Sequence, residues 1–251
     1  MLCENLTILK KPKDTNVYNL MEEYRKISSR YSVLKKKPWK DFQSYISYLK
    51  TKFQLPSSGI LIDIGSGNGR NLELFKDQDL QMVASDLSLE LLQTMIPLPS
   101  HKIYIANNDM RFLPIKHNSA DFVICIATIH HLENEKEVIK ALEEIASILK
   151  QNGLIILSCW RRWKPDTIHK MLLDLVRLPY KKLVQKSWRH GDIFLPWLNE
   201  KREIIAKRYY HLFTKKELIR VINKSNLKIS DFSISGGKGG KDNFFVLLKK
   251  R

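Results

Sequence analysis

The segment Ile60-Leu61-Ile62-Asp63-Ile64-Gly65-Ser66-Gly67-Asn68-Gly69-Arg70 restricts the possible folds of this chain more than any other. A run of strand length enters three glycines at alternate positions, and a helical pattern opens near Asn68. Strand, tight turn and helix begin a crossover unit, and crossover units build parallel sheets. The alternation continues through Met82–Asp86, a helix from Ser88, Lys102–Ala106, Asp121–Ile129, a helix over Glu135–Lys150 and Leu154–Trp160. A doubly wound α/β domain with a mostly parallel sheet is therefore expected.

A dinucleotide fingerprint places its third glycine at the sixth position, where this chain has Arg70. A carboxylate at the mouth of the loop would repel a pyrophosphate and attract the ammonium of an amino-acid ligand. Acid-x-Gly-x-Gly-x-Gly therefore reads as a site for S-adenosylmethionine. Gly65 and Gly67 let the backbone lie against the ligand, and Gly69 lets helix and strand pack closely. Asp63 meets the ammonium. Asp86, ending the next strand, is placed for the ribose hydroxyls; Asp109 is placed for the adenine amino group, with Leu87 and Met110 flanking the ring. Ala127, at the end of the fourth strand, completes the expected cofactor set.

Outside this core the chain reads differently. Residues 1–55 form a basic N-terminal segment, with helices over about Val17–Arg30, capped by Asn16, and Trp39–Phe53. Residues 56–251 form the α/β domain, interrupted at about 161–212 by a basic insertion that reads as mostly helical, with Pro179 breaking an amphipathic stretch. Thr214 and Glu217 form a capping box for a helix over Lys215–Lys224. Strands over Leu227–Ile234 and Asn243–Leu248 then form an antiparallel hairpin, giving seven strands in all. Three scattered cysteines, Cys3, Cys125 and Cys159, suit neither a disulfide framework nor a metal site. No apolar run has the roughly 18 residues of a membrane helix. The opening residues lack a secretion signal, so a soluble cytoplasmic chain is expected.

The formal net charge is +17, and it is uneven. Residues 1–55 are net +7, 56–150 net −5 and 151–251 net +15. An acidic middle between basic flanks points to a polyanion held by the flanks. Rings interleave with cations in Arg161-Arg162-Trp163-Lys164, Lys186-Ser187-Trp188-Arg189 and Lys207-Arg208-Tyr209-Tyr210-His211, a pattern suited to unpaired RNA bases.

Cys125-Ile126-Ala127-Thr128-Ile129-His130-His131-Leu132 lines the space beside the transferable methyl. It lacks an Asn-Pro-Pro-Tyr sequence, which disfavours methylation of exocyclic base amines, and Cys125 reads as an inert core thiol. His130 is expected to face the site and His131 to pack behind it; no third ligand makes the pair a metal site.

Several separated segments resemble one family, the tRNA wobble-uridine methyltransferases that esterify 5-carboxymethyluridine, including the yeast-type enzyme and the methyltransferase domain of the AlkB-type homologue. The similarity runs from Val17 to Leu248. It is carried by Val17-Tyr18, Arg30, Lys37-Pro38-Trp39, Leu61–Gly69, Ile129-His130-His131, Trp160, Gly191-Asp192, Pro196-Trp197, Arg208–Phe213 and Asp242-Asn243-Phe244. Asn19 and Ser66 depart from the pattern, which has Asp and Cys there. The resemblance implies a Rossmann-like class I methyltransferase fold, S-adenosylmethionine as cofactor and a tRNA anticodon loop as substrate. It also implies a small zinc-binding activator subunit in a heterodimer, docked near Ile103, Tyr104 and Ile105. A carboxylate acceptor is already ionised and needs positioning, not a base. Arg30, His130 and Arg208 are the groups expected to steer it, with polar contacts from Tyr210 and Asp192 and with Trp160 or Trp197 on the uracil. Two other readings stay open: a methyltransferase for a small carboxylate, lipid or quinone, and a non-catalytic RNA-binding partner.

Overall fold

The structure is a computed structural model of the chain. It describes residues 15–98, 103–163, 168–184 and 188–251, without the side chains of 15–19, 170, 182 and 184. Cys3 and residues 164–165 and 186–187 lie outside the described residues, as do the side chains of Asn16, Val17, Tyr18 and Asn19.

Strands β1 (Ser58–Ile64), β2 (Asp79–Asp86), β3 (Ile103–Asn107), β4 (Ala120–Ile126) and β5 (Leu149–Trp160) precede a ribbon of β6 (Asp192–Leu198) and β7 (Ile204–His211), then β8 (Leu227–Ser235) and β9 (Asn243–Lys250). Seven of them form one sheet in the order β3-β2-β1-β4-β5-β9-β8, with β9 antiparallel to both neighbours. The order reverses between β1 and β4, which opens a crevice at their carboxyl ends, where ligands bind in such sheets.

Helical periodicity builds both faces. On one, Val138, Ala141, Leu142 and Ile145 of α5 (Glu135–Ile148) join Leu218, Val221 and Ile222 of α7 (Lys215–Lys224) over Ile62, Val123 and Ile155. On the other, Phe42, Tyr45, Ile46 and Leu49 of α3 (Lys40–Lys50) cover Leu61, Phe122, Ile156 and Phe245. Spacings of three and four residues put each set on one helix face. Asn134 caps α5, and the Thr214–Glu217 capping box closes α7. Cys125 and Cys159 are buried, and burial pushes both thiols up.

Four expectations change. The segment read as one helix over Val17–Arg30 is two, α1 (Thr15–Arg25) and α2 (Ser28–Leu34), because Ile27 is buried at φ −115° and ψ −2°, outside the helical well. Asn16 lies inside α1. After the glycine loop there is only a 3₁₀ turn, Arg70–Phe75, and α4 (Leu89–Gln93) is one short turn, so α3 covers much of that face. The insertion is half helix and half ribbon. Its helix α6 (Ile168–Val184) runs through Pro179, which is exposed between exposed Leu175 and Leu183, where water can satisfy a freed carbonyl. Its second half is rich in aromatic and β-branched residues, and β6 has the period-two burial of a strand while the end of β7 is buried throughout. No helix among the described residues is long and apolar enough to cross a membrane.

Candidate active site

Gly65 (φ 72°), Gly67 (φ 58°) and Gly69 (φ 71°) all have left-handed backbones. A Cβ on Gly65 would lie 2.2 Å from Thr128 Cγ2, so glycine is required there on two grounds. The Gly65 and Ser66 N–H groups donate to the Ser85 carbonyl at 2.7 and 3.0 Å. Asp86 ties the loop from the other side, accepting from Gly67 N–H at 2.8 Å and Ser88 N–H at 2.9 Å. Behind the loop Asp63 is 1% exposed, and its Oδ2 has no hydrogen-bond partner. Burial first, then the charge of Asp86, push its carboxyl up to about 8, against the opposing effect of Arg70. A buried acceptor with nothing to accept from is costly, and an ammonium ligand relieves that cost.

Gly65, Gly67, Asp86, Leu87, Asp109, Met110 and Ala127 line one cavity at the carboxyl ends of the strands. Asp63 and Gly69 do not line it. Ala127 has φ 56°, a strain of roughly 1–2 kcal/mol for a residue with a side chain. Two bonds from its N–H, to the Ser158 carbonyl at 3.1 Å and Oγ at 3.0 Å, hold it there. Asp109 is clamped by Arg111, whose Nη2 donates to Oδ2 at 2.6 Å and whose Nη1 reaches Glu137 at 2.8 Å.

Beside this cavity, α1, α2, the 3₁₀ turn Ile129–His131 and the ribbon enclose a cluster of rings. Trp160 stacks on Tyr210 with centroids 4.7 Å apart, and His130 packs against both. The Arg208 guanidinium lies 4.8 Å from the Trp197 ring, 5.5 Å from Tyr210 and 5.9 Å from Tyr24. Its Nε is buried without a hydrogen-bond partner, and among the described residues no carboxylate pairs with it. Tyr31 joins this cluster to the cofactor cavity: it lines the cavity, stands 3.8 Å from where a Gly67 Cβ would be, and packs 5.9 Å from Trp197.

A family model described as a methyltransferase domain matches residues 62–157. A solved S-adenosylmethionine-dependent methyltransferase from Methanosarcina mazei superposes with a TM-score of 0.62 at 18% identity, covering 81% of this chain and 96% of its own. The chain carries a methyltransferase domain and has the class I methyltransferase fold. Its cofactor is S-adenosylmethionine, which the cradle, the orphaned Asp63 oxygen and Asp86 fit. The methyltransferase is also 25% identical to the tRNA (carboxymethyluridine(34)-5-O)-methyltransferase of Schizosaccharomyces pombe, over 90% of this chain and 94% of the relative. With the protein of that name from Saccharomyces cerevisiae it shares 28% identity over 70% of this chain, spanning 54% of the relative's length. A Haloferax volcanii methyltransferase, solved in complex with a methyltransferase activator, superposes at TM-score 0.55 and 12% identity, covering 96% of this chain and 99% of its own.

The methyltransferase brings His130, Trp160, Trp197, Arg208 and Tyr210 into one cluster but leaves two expected acceptor residues outside. Arg30 is on the surface, 3.6 Å from exposed Glu200. Asp192 is buried and committed: it accepts from Tyr209 OH at 2.7 Å, His211 Nδ1 at 2.6 Å and Arg189 N–H at 2.7 Å. The histidine order is reversed. His131 lines the cavity while His130 is 1% exposed within the ring stack, because the 3₁₀ turn, not the strand, sets their directions. His131 Nδ1 donates to the Tyr209 carbonyl at 2.8 Å, so neutral Nε2 accepts from Tyr24 OH at 3.1 Å. Burial first, then Arg208, pull its imidazole down to about 4, against that carbonyl, and keep it neutral.

Tyr24 and Tyr31 also line the cavity and had no signal in the sequence beyond their types, while Arg70, Thr128, Lys207 and Tyr209, which line it too, stand inside motifs the sequence already marked. The cation-and-ring runs of the insertion are largely structural. Arg162 is buried on Glu217 at 2.7 Å, Arg189 donates to the Leu132 carbonyl at 3.1 Å, and Arg161 donates to that of Lys241 at 2.7 Å.

Proposed function

We propose that this methyltransferase forms the methyl ester of 5-carboxymethyluridine at the wobble position of tRNA. The observation that carries the reading is Arg208, a guanidinium enclosed by the rings of Trp197, Tyr210 and the cavity-lining Tyr24, with no carboxylate paired to it among the described residues. A substrate carboxylate supplies the missing charge, and the surrounding rings suit a pyrimidine. The name and the 94% span of the fission yeast relative support the same substrate.

When bound, the cofactor supplies an electrophilic sulfonium methyl. The carboxylate oxygen attacks it without losing a proton, so the task of the protein is alignment. Arg208 orients the carboxylate from one side while its charge is shared with three rings, which limits ground-state stabilisation. Neutral His131 and the Tyr24 hydroxyl shape the polar wall. Tyr31 and Trp197 offer faces to the uracil.

We assign a small activator subunit to the edge of the sheet at β3, where Ile105 is 51% exposed between half-buried Tyr104 and Ala106 and Ile103 is half-buried. The Haloferax protein with the same fold was solved with an activator, which supports a partner of this kind. The test is mass spectrometry of tRNA nucleosides from cells lacking the gene. Accumulation of free carboxymethyluridine is expected; an unchanged nucleoside profile contradicts the reading.

A further inference from the structure

Lys35, Lys36 and Lys37 follow the end of α2, Pro38 and Trp39 turn the chain, and Lys40 opens α3. Lysines past a helix end ordinarily complement its dipole and face water. Here they do more, because all four line one groove with Trp39, and Arg70 forms part of its wall. Arg70 also lines the cofactor cavity, so groove and cavity meet at that residue. Two bonds fix the groove to the glycine loop and the turn after it: Asn68 Nδ2 donates to the Lys35 carbonyl at 3.0 Å, and Trp39 N–H donates to Asn71 Oδ1 at 3.2 Å.

The charge of the groove is largely uncompensated, five cations against the single carboxylate of Asp41. Among the described residues none of its five cations is in an ion pair, whereas Arg111, Arg162, Arg189 and Arg220 elsewhere all are. Asp41 is the one carboxylate lining the groove, and it is taken by Gly237 N–H at 2.8 Å and Asn243 Nδ2 at 3.2 Å. Burial and the nearby charges of Arg70 and Arg208 push the Lys35 ammonium down, a sign of cations crowded without counter-charge. Like charges gathered this way raise the energy of the free protein, and a polyanion removes that cost.

We propose that this groove holds the phosphodiester backbone of the RNA strand next to the nucleotide being methylated. The inference rests on the reading of tRNA as substrate and adds where its strand runs. Lysine ammoniums are point charges without the fork needed to read a base edge, so the groove supplies affinity and register and not sequence choice.

The test is fluorescence anisotropy of a labelled anticodon stem-loop RNA across a salt series. Three proteins are compared: the unchanged protein, the triple variant Lys36→Ala, Lys37→Ala, Lys40→Ala, and a control with equal charge loss, Lys216→Ala, Lys228→Ala, Lys249→Ala. All six lysines are exposed. The groove variant is expected to bind about tenfold or more weakly near physiological salt, with the slope of log affinity against log salt smaller by about 2. The control stays within about threefold of the unchanged protein, and calorimetry gives all three the same S-adenosylmethionine affinity. The charge reversal Lys37→Glu gives the same ranking. A groove variant that matches the control and keeps the full slope overturns the groove while leaving the substrate reading intact. An unchanged protein without salt-sensitive RNA binding overturns both.

Discussion

The two halves of the cavity are held by different kinds of constraint. In the cofactor half, the key residues stand at the ends of parallel strands, and sheet register fixes their directions: Ile64 pairs with Ser85 and Asp86 with Asn107. In the acceptor half, the side chains come from α1, α2, a 3₁₀ turn and a two-stranded ribbon. Their mutual placement depends on long-range contacts such as His131 to the Tyr209 carbonyl, Arg189 to the Leu132 carbonyl and Lys207 N–H to Glu23. The first half is preformed by backbone; the second is an assembly of side chains, and it changes with any element that moves.

The largest effect is expected in the preformed half. Asp63→Ala should weaken S-adenosylmethionine about 100-fold, as measured by calorimetry, because it removes a charge-assisted contact worth about 3 kcal/mol. The melting temperature should hold or rise, since a buried carboxyl without a full set of partners is lost. Normal cofactor affinity in this variant would dissolve the distinction between the halves.

Arg208→Ala should lower methyl transfer to tRNA about thirtyfold, with cofactor affinity within about threefold. Arg30→Ala is the matched comparison: its half-exposed pair with Glu200 is worth under about 1 kcal/mol, so transfer should change less than about threefold. The reverse ranking in a turnover assay would return Arg30 to the site. Asp192→Asn should destabilise the protein by about 2 kcal/mol in urea titration, since three donors lose a charged acceptor, while cofactor affinity holds.

The sheet-end residues were legible in the sequence because a strand followed by a turn fixes position, and Asp63, Asp86, Asp109 and the glycines lie where that rule puts them. Side-chain direction was less legible. His130 and His131 are adjacent, and only the 3₁₀ turn decides that the second faces the cavity. The resemblance made Asp192 a substrate contact, yet it serves Tyr209 and His211, which the ribbon brings to it. The cationic runs of the insertion read as RNA contacts, whereas partners distant in sequence, Glu217 among them, consume several of them. Pairing across long sequence separation leaves no periodicity to read.

The smallest effect separates the halves by pH. In the free protein the Asp63 carboxyl is raised from 3.8 to about 8, so below that value it holds a proton that an arriving ammonium displaces. Cofactor affinity should therefore rise by at most about tenfold between pH 7 and pH 8, with proton release seen in buffers of different ionisation enthalpy. The sign for the free protein is opposite: its stability falls as pH rises between the two values. His131, held neutral, should add no transition near its ordinary 6.5.

The most direct measurement is transfer from S-adenosylmethionine carrying a deuterated methyl to tRNA that bears carboxymethyluridine, using the purified protein alone and with the proposed activator subunit, and nucleoside mass spectrometry before and after mild alkali. The label should appear on the wobble nucleoside and be lost to alkali as a methyl ester, regenerating the free acid. Label that survives alkali, or that appears on another nucleoside, would contradict a carboxylate acceptor held by Arg208.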